Sequence, residues 1–139
     1  MKEIIFLPHT ADVRMEIRAD ELPELFEAGV EGLAALLQPS LSSPLEANWD
    51  LVMPITVSAP DITLLLLDVL SEVLTHSNIE KAVFLKLDVL NMSEMMFKGR
   101  IFGLYTSGFE EDVKAVTYTE ANIRKDDAGK WLTQIVFDI

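Results

Sequence analysis

The sequence contains no cysteine, only two histidines, and only 11 basic residues among 139. Without cysteine there are no disulfides and no thiolate metal ligands, and a reducing compartment is permitted. Two histidines and no thiol match a zinc enzyme poorly. The 11 lysines and arginines face 23 acidic residues, a formal net charge of −12. Such a field opposes strong direct binding to nucleic acid, because phosphate contacts need Lys and Arg to displace counterions. It favours cations and basic partner surfaces instead. The chain also lacks a phosphate-cradling glycine loop, a GxSxG elbow and an HExxH pair. Its longest apolar run, from Ile62 to Leu74, is interrupted by Thr63, Asp68, Ser71 and Glu72, too short and too polar for a bilayer span. Met1-Lys2-Glu3 and the four-residue apolar run that follows do not read as a signal peptide. These absences lead to the expectation of a soluble cytoplasmic protein with no membrane partner.

What is present suits a packed core. Half of the residues are apolar and 24% are charged, so the chain is not of the disordered class and reads as a single domain over 1–139. Ile4 to Leu7 reads as a first strand. Val13, Met15 and Ile17 alternate with Arg14, Glu16 and Arg18 as a half-buried second strand, which puts Asp12 on the polar side. Asp20 is placed to cap a helix with Pro23 in its first turn, running to about Gln38 on the spacing of Leu22, Leu25, Phe26, Val30, Leu33, Leu36 and Leu37. Gly29 and Gly32 weaken that helix and suggest close approach to a sheet. Pro39 to Pro44 has linker composition and is the expected place for mobility.

Trp49 to Val57 follows as a strand region whose Pro54 argues for an edge. Pro60-Asp61 opens a second helix through roughly His76, with Asp68, Ser71, Glu72 and Thr75 on one narrow polar stripe. Period two then returns, with Val83, Leu85, Leu87 and Val89 on one face, a turn at Asn91-Met92-Ser93, and a partner strand from Met95 to Phe102. Gly108 to Asp112 reads as an exposed acidic loop, Val113 to Ile123 as a strand, Asp126 to Gly129 as a hairpin turn, and Trp131 to Ile139 as the closing strand. Two helices early and antiparallel strands late predict an α+β fold, an antiparallel sheet packed with two main helices.

Two stretches could carry chemistry. His9-Thr10-Ala11-Asp12 gathers an imidazole, a hydroxyl and a carboxylate where Pro8 breaks one strand from the next. The competing reading is a turn in which Thr10 and Asp12 bond local backbone groups. The closing strand stays apolar to Phe137-Asp138-Ile139, which sets the Ile139 α-carboxylate one residue from the Asp138 side chain. Two adjacent acids held in order would be relieved by a cation or a basic side chain, and hard cations take such oxygen ligands. Solvation of an ordinary chain end is the alternative. His76 reads as a helix-end cap and Glu72 as a solvated helix residue. Lys114 borders an acidic run and could serve only to balance it. Glu110-Glu111-Asp112 lacks the spacing of a calcium loop and reads as solvated surface.

Taken together, His9-Thr10-Ala11-Asp12-Val13, Lys114-Ala115-Val116-Thr117-Tyr118 and Val136-Phe137-Asp138-Ile139 resemble the archease family. Leu25-Phe26-Glu27 and Leu70 to Leu74 extend the likeness over essentially the whole chain in order and spacing. The resemblance implies an α+β fold and a small acidic cytoplasmic protein. It implies a non-enzymatic activator of the tRNA-splicing RNA ligase of the RtcB family, promoting guanylylation of a ligase histidine and multiple turnover. A divalent cation is implied, calcium first and magnesium or manganese as alternatives, on Asp12, Asp138 and the terminal carboxylate of Ile139. Glu72, Lys114 and His9 match further motif positions and are expected to act in partner activation. A chaperone role toward a tRNA cytosine methyltransferase is the alternative within the same class. A metal-dependent hydrolase using the same carboxylates is the alternative from another class, with His9 or Glu72 as its base. The sequence departs from the family pattern at Thr119, where many members have His, and at Leu104, where many have Glu.

Overall fold

The computed structural model describes residues 1–7, 12–41 and 48–139. Pro8 to Ala11, with His9 and the expected turn, and residues 42–47, with the second half of the expected linker, lie outside the described residues. Among the described residues, eight strands and two helices follow in the order β1 (Lys2–Leu7), β2 (Asp12–Ala19), α1 (Leu22–Leu37), β3 (Leu51–Ser58), α2 (Ile62–Glu80), β4 (Ala82–Met92), β5 (Met96–Tyr105), β6 (Ala115–Val116), β7 (Arg124–Lys125) and β8 (Trp131–Asp138). The fold is α+β as expected, but its strands divide into two antiparallel sheets. One has the order β1-β2-β8-β6, with β7 also on β8; the other has the order β3-β5-β4. Pro54 lies on β3, an edge strand, where its missing N–H costs no ladder bond. Both helices and the inner faces of both sheets share one core, in which Phe26 and Phe97 stack with ring centroids 5.6 Å apart.

Helix α1 forms on its apolar spacing and lays Leu25, Phe26, Leu33 and Leu37 into that core. Its N-cap is Glu21, which makes no side-chain cap bond. Asp20, expected as the cap, instead takes the Met1 ammonium at 2.7 Å and Lys130 at 3.4 Å. Gly32 meets a sheet as anticipated: a Cβ there would come within 2.2 Å of Met15 Sδ on β2. Gly29 faces α2 rather than a sheet: a Cβ there would lie 3.2 Å from Leu70 Cδ2. The acidic loop is not mere surface, because the Glu110 and Glu111 amides donate to the Leu37 carbonyl and close the end of α1.

Helix α2 is capped by Asp61, whose carboxylate accepts from the Leu64 amide at 2.9 Å. It runs one turn past His76, to Glu80, and ends on Lys81 in the left-handed conformation. Ser77 and Asn78 look like a break in the sequence. Ser77 is fully buried, and Asn78 Nδ2 donates to the Leu74 carbonyl one turn back, so both are absorbed into the helix. His76 therefore lies inside the helix, not at its end. At 19 residues α2 has the length and apolarity of a membrane span, but its apolar side chains, including Leu65, Leu66, Leu70 and Val73, are buried in the core between the sheets.

Two later expectations change. Strand β4 does not keep one parity, since the register shifts between Phe84 and Lys86 and again between Val89 and Asn91. Phe84 and Leu87 consequently share the main core, while Val83 and Leu85 pack with Ala34 in a separate cluster. The strand expected over Val113 to Ile123 is reduced to Ala115–Val116. Beyond it, side-chain oxygens replace ladder partners: the Asn122 amide donates to Thr133 Oγ1 and the Ile123 amide to Thr63 Oγ1, each at 3.0 Å. Glu120 takes a positive φ of 67° in the same stretch.

Candidate functional site: a carboxylate pair at a sheet end

Strand β8 lies inside its sheet, between β2 on one side and β6 and β7 on the other. The β2–β8 register runs from Ala19 opposite Trp131 to Asp12 opposite Asp138. Directly opposed residues of an antiparallel pair point to the same face, with Cβ atoms about 5 Å apart. The next pair, Val13 with Phe137, packs into the core, so Asp12 and Asp138 stand on the opposite, outward face. On the other side of β8, Ala115 of β6 opposes Asp138, and the Lys114 amide donates to the Asp138 carbonyl at 2.7 Å. Asp138 is thus gripped from two strands, and Ile139 emerges directly from the grip, 38% exposed.

The structure therefore brings together Asp12, Asp138, Ile139 and the Lys114 backbone, residues that the sequence scatters over both ends of the chain. The Lys114 side chain is exposed. Arg14, the neighbouring cation on the same face of β2, is engaged with Glu120 at 2.9 Å. Glu72 stands on α2, with His76 Nε2 at 3.5 Å one turn on. His9 lies outside the described residues.

Sequence reasoning missed the link between α2 and this sheet end. The Tyr118 hydroxyl donates to Asp68 Oδ1 at 2.6 Å and lies 3.0 Å from Ser71 Oγ. Burial, and then the hydrogen bond to Asp68, hold the Tyr118 phenol above its ordinary pKa. The segment from Lys114 to Tyr118 is anchored to the Asp138 backbone at one end and to α2 at the other, beside Glu72. The signal was available: a polar stripe on an otherwise apolar helix needs a polar partner.

Among the described residues, no three His, Cys, Asp or Glu side chains gather in a group that could hold a metal ion. The donor set at this sheet end is different, two aspartate side chains and one main-chain carboxylate. Its chemistry fits a hard divalent cation, since all donors are oxygens and the register sets two carboxylates side by side at one strand end.

The sequence matches the model of the Archease protein family (MTH1598/TM1083) over residues 5–139. It is similar to the protein archease of Pyrococcus abyssi, 32% identical with all of both chains covered. It is also similar to that of Methanosarcina barkeri, 30% identical over 99% of this chain and 97% of the relative. In fold it resembles the solution structure of protein 1598 of Methanobacterium thermoautotrophicum, with a TM-score of 0.72, 24% identity and 98% of each chain covered. It likewise resembles a Thermotoga maritima crystal structure described as an archease, possible chaperone. There the TM-score is 0.63 at 16% identity, covering 96% of this chain and 94% of that one.

Proposed function

The chain belongs to the archease family, and from that premise we propose that it is a non-enzymatic activator of an RtcB-type tRNA-splicing RNA ligase, promoting guanylylation of the ligase histidine and multiple turnover. The observation that carries this reading is the pairing of Asp12 with Asp138 beside Ile139 at one sheet end. Asp12, Asp138 and the carboxylate of Ile139 would hold a divalent cation, calcium first and magnesium or manganese as alternatives. Bound there, such an ion supplies positive charge to phosphate oxygens, the requirement of phosphoryl transfer. The protein's own part is to hold the acids in place. The Lys114 amide fixes the Asp138 backbone, and the Tyr118 contact with Asp68 keeps the Lys114 segment against α2. Lys114, Glu72 and His9 are assigned to contact with the partner. An acidic cytoplasmic activator suits a basic, RNA-binding ligase, because opposite fields speed encounter.

The test is a ligase guanylylation time course with Asp138→Ala and with one residue appended after Ile139. Both changes fall at an exposed strand end and should leave the thermal melt unchanged while guanylylation falls at least tenfold. Full stimulation by both variants overturns the reading. The description of the Thermotoga protein as a possible chaperone favours a second reading, chaperoning of a tRNA cytosine methyltransferase. Co-purification of the methyltransferase rather than the ligase would select it.

A further inference from the structure

The three-stranded sheet turns one face away from the core, and the register defines its grid. Across β3, β5 and β4 the outward rows are Val52, Phe102, Lys86; then Pro54, Arg100, Asp88; then Thr56, Lys98, Asn91. The inward positions, Phe97 and Ile101, are fully buried, while Lys86, Lys98 and Arg100 are exposed. Three of the chain's 11 cations thus share one face of a protein whose net charge is −12. Asp88 is the one acid in these rows, paired with Arg100 at 2.6 Å. On the outer face of the five-stranded sheet Arg14 is likewise taken by Glu120, and Arg18 by Glu16 and Asp126, whereas Lys86 and Lys98 have no acidic partner among the described residues.

Aromatic surface lies among these cations. Lys86 Nζ stands 4.9 Å and the Arg100 guanidinium 5.4 Å from the centre of the Phe102 ring, and Trp49 lies 5.8 Å from it at a 55° tilt. The ring holds the two cations in place, so part of their ordering cost is met before any ligand arrives. Cations spaced along a sheet face around a phenyl ring, with an indole at its margin, suit a backbone of phosphates that carries unstacked bases. Thr56 and Asn91 flank Lys98 in the third row and offer hydrogen-bonding groups of the kind a 2′-hydroxyl can use.

We propose that the outer face of β3-β5-β4 is a contact surface for a single-stranded RNA segment. This goes beyond the ligase reading and does not depend on it. The overall charge of −12 keeps the contact weak, because the acidic surfaces repel RNA at a distance. Within a Debye length of about 8 Å the local cations decide.

The full chain, labelled for amide NMR, is titrated with a short oligouridylate. Shift changes are expected on β3 and β5 and at the Trp49 indole. With two phosphates engaged by Lys86 and Lys98, log K should fall with log salt at a slope of about −1.4, so doubling the salt weakens binding about 2.6-fold. Replacing Lys86, Lys98 and Arg100 together by Gln should weaken binding at least tenfold and flatten that slope. All three are exposed, and the shift spectrum reports whether the variant is folded. Shifts confined to other surfaces, or an unchanged affinity in the triple variant, overturn the proposal. Equal or tighter binding of oligothymidylate overturns the assignment to RNA. Polyglutamate binding that matches the oligouridylate makes the partner an acidic protein and overturns it as well.

Discussion

Replacing Tyr118 by Phe keeps the ring and removes one oxygen, which isolates the bond between the Lys114 segment and α2. That oxygen donates to Asp68 at 2.6 Å and lies 3.0 Å from Ser71 Oγ. A hydrogen bond to a charged group contributes about 1.5–3 kcal/mol net when buried. Tyr118 is 48% exposed, so water can take over part of the bond, and the expected loss is about 1 kcal/mol. For a chain of this size that lowers the melting temperature by about 4 °C. The sharper readout is local. The Thr117 amide donates to the Val136 carbonyl at 2.9 Å, next to the tethered residue, and its hydrogen exchange should quicken about fivefold. Asp68→Asn and the double variant complete a cycle in which the two changes should be far from additive. Alkaline titration adds an independent check with a defined sign. The folded-state pKa of Tyr118 is raised, so above 10.0 the unfolded chain loses its phenol proton first. The associated stability is fully present below pH 10.0 and is lost as pH rises through the folded value, a loss the Phe variant should not share. Additive changes, or unaltered exchange at Thr117, would refute the claim that this hydroxyl holds the segment to the helix.

Gly32→Ala should destabilise the protein by about 1–2 kcal/mol in urea melts, since its Cβ would come within 2.2 Å of Met15 Sδ. Combining it with Met15→Val should recover part of the loss. Asp126 is held below the usual carboxylate range, first by the Lys130 amide and then by the Ala128 amide, with Arg18 adding attraction. Its contribution is present above pH 3.8 and is lost as pH falls through the lowered folded value. Asp126→Asn should therefore flatten the acid side of the stability profile, as followed by circular dichroism.

Elements that rest on one repeating pattern were legible in the sequence. The alternation in β2, the spacing in α1 and the edge role of Pro54 all follow from side-chain period and from the donor that proline lacks. Elements that rest on an exception were not. The register shifts in β4 reverse its parity without any composition signal, and the last turn of α2 stands because a buried Ser77 and a back-bonding Asn78 complete it. The stretch after Val116 has strand composition, but its amides go to Thr133 and Thr63. Those partners lie in other elements and cannot be seen from the local pattern. At the site, the adjacency of Asp138 and Ile139 is visible in the sequence itself. The opposition of Asp12 to Asp138 is a property of strand order, and only the sheet topology displays it.

The position of β8 also bears on how the molecule forms. Its strand neighbour β2 comes near the start of the sequence, so their ladder closes a loop containing every described element except β1. Contacts of such long range are slow to nucleate, because chain entropy is lost before the ladder returns any energy. Until β8 docks, the β1–β2 hairpin carries a bare edge along Asp12 to Ala19, open to the same strand of another molecule. At high concentration, refolding should therefore divide between the monomer and strand-exchanged dimers in which β8 fills a neighbour's sheet.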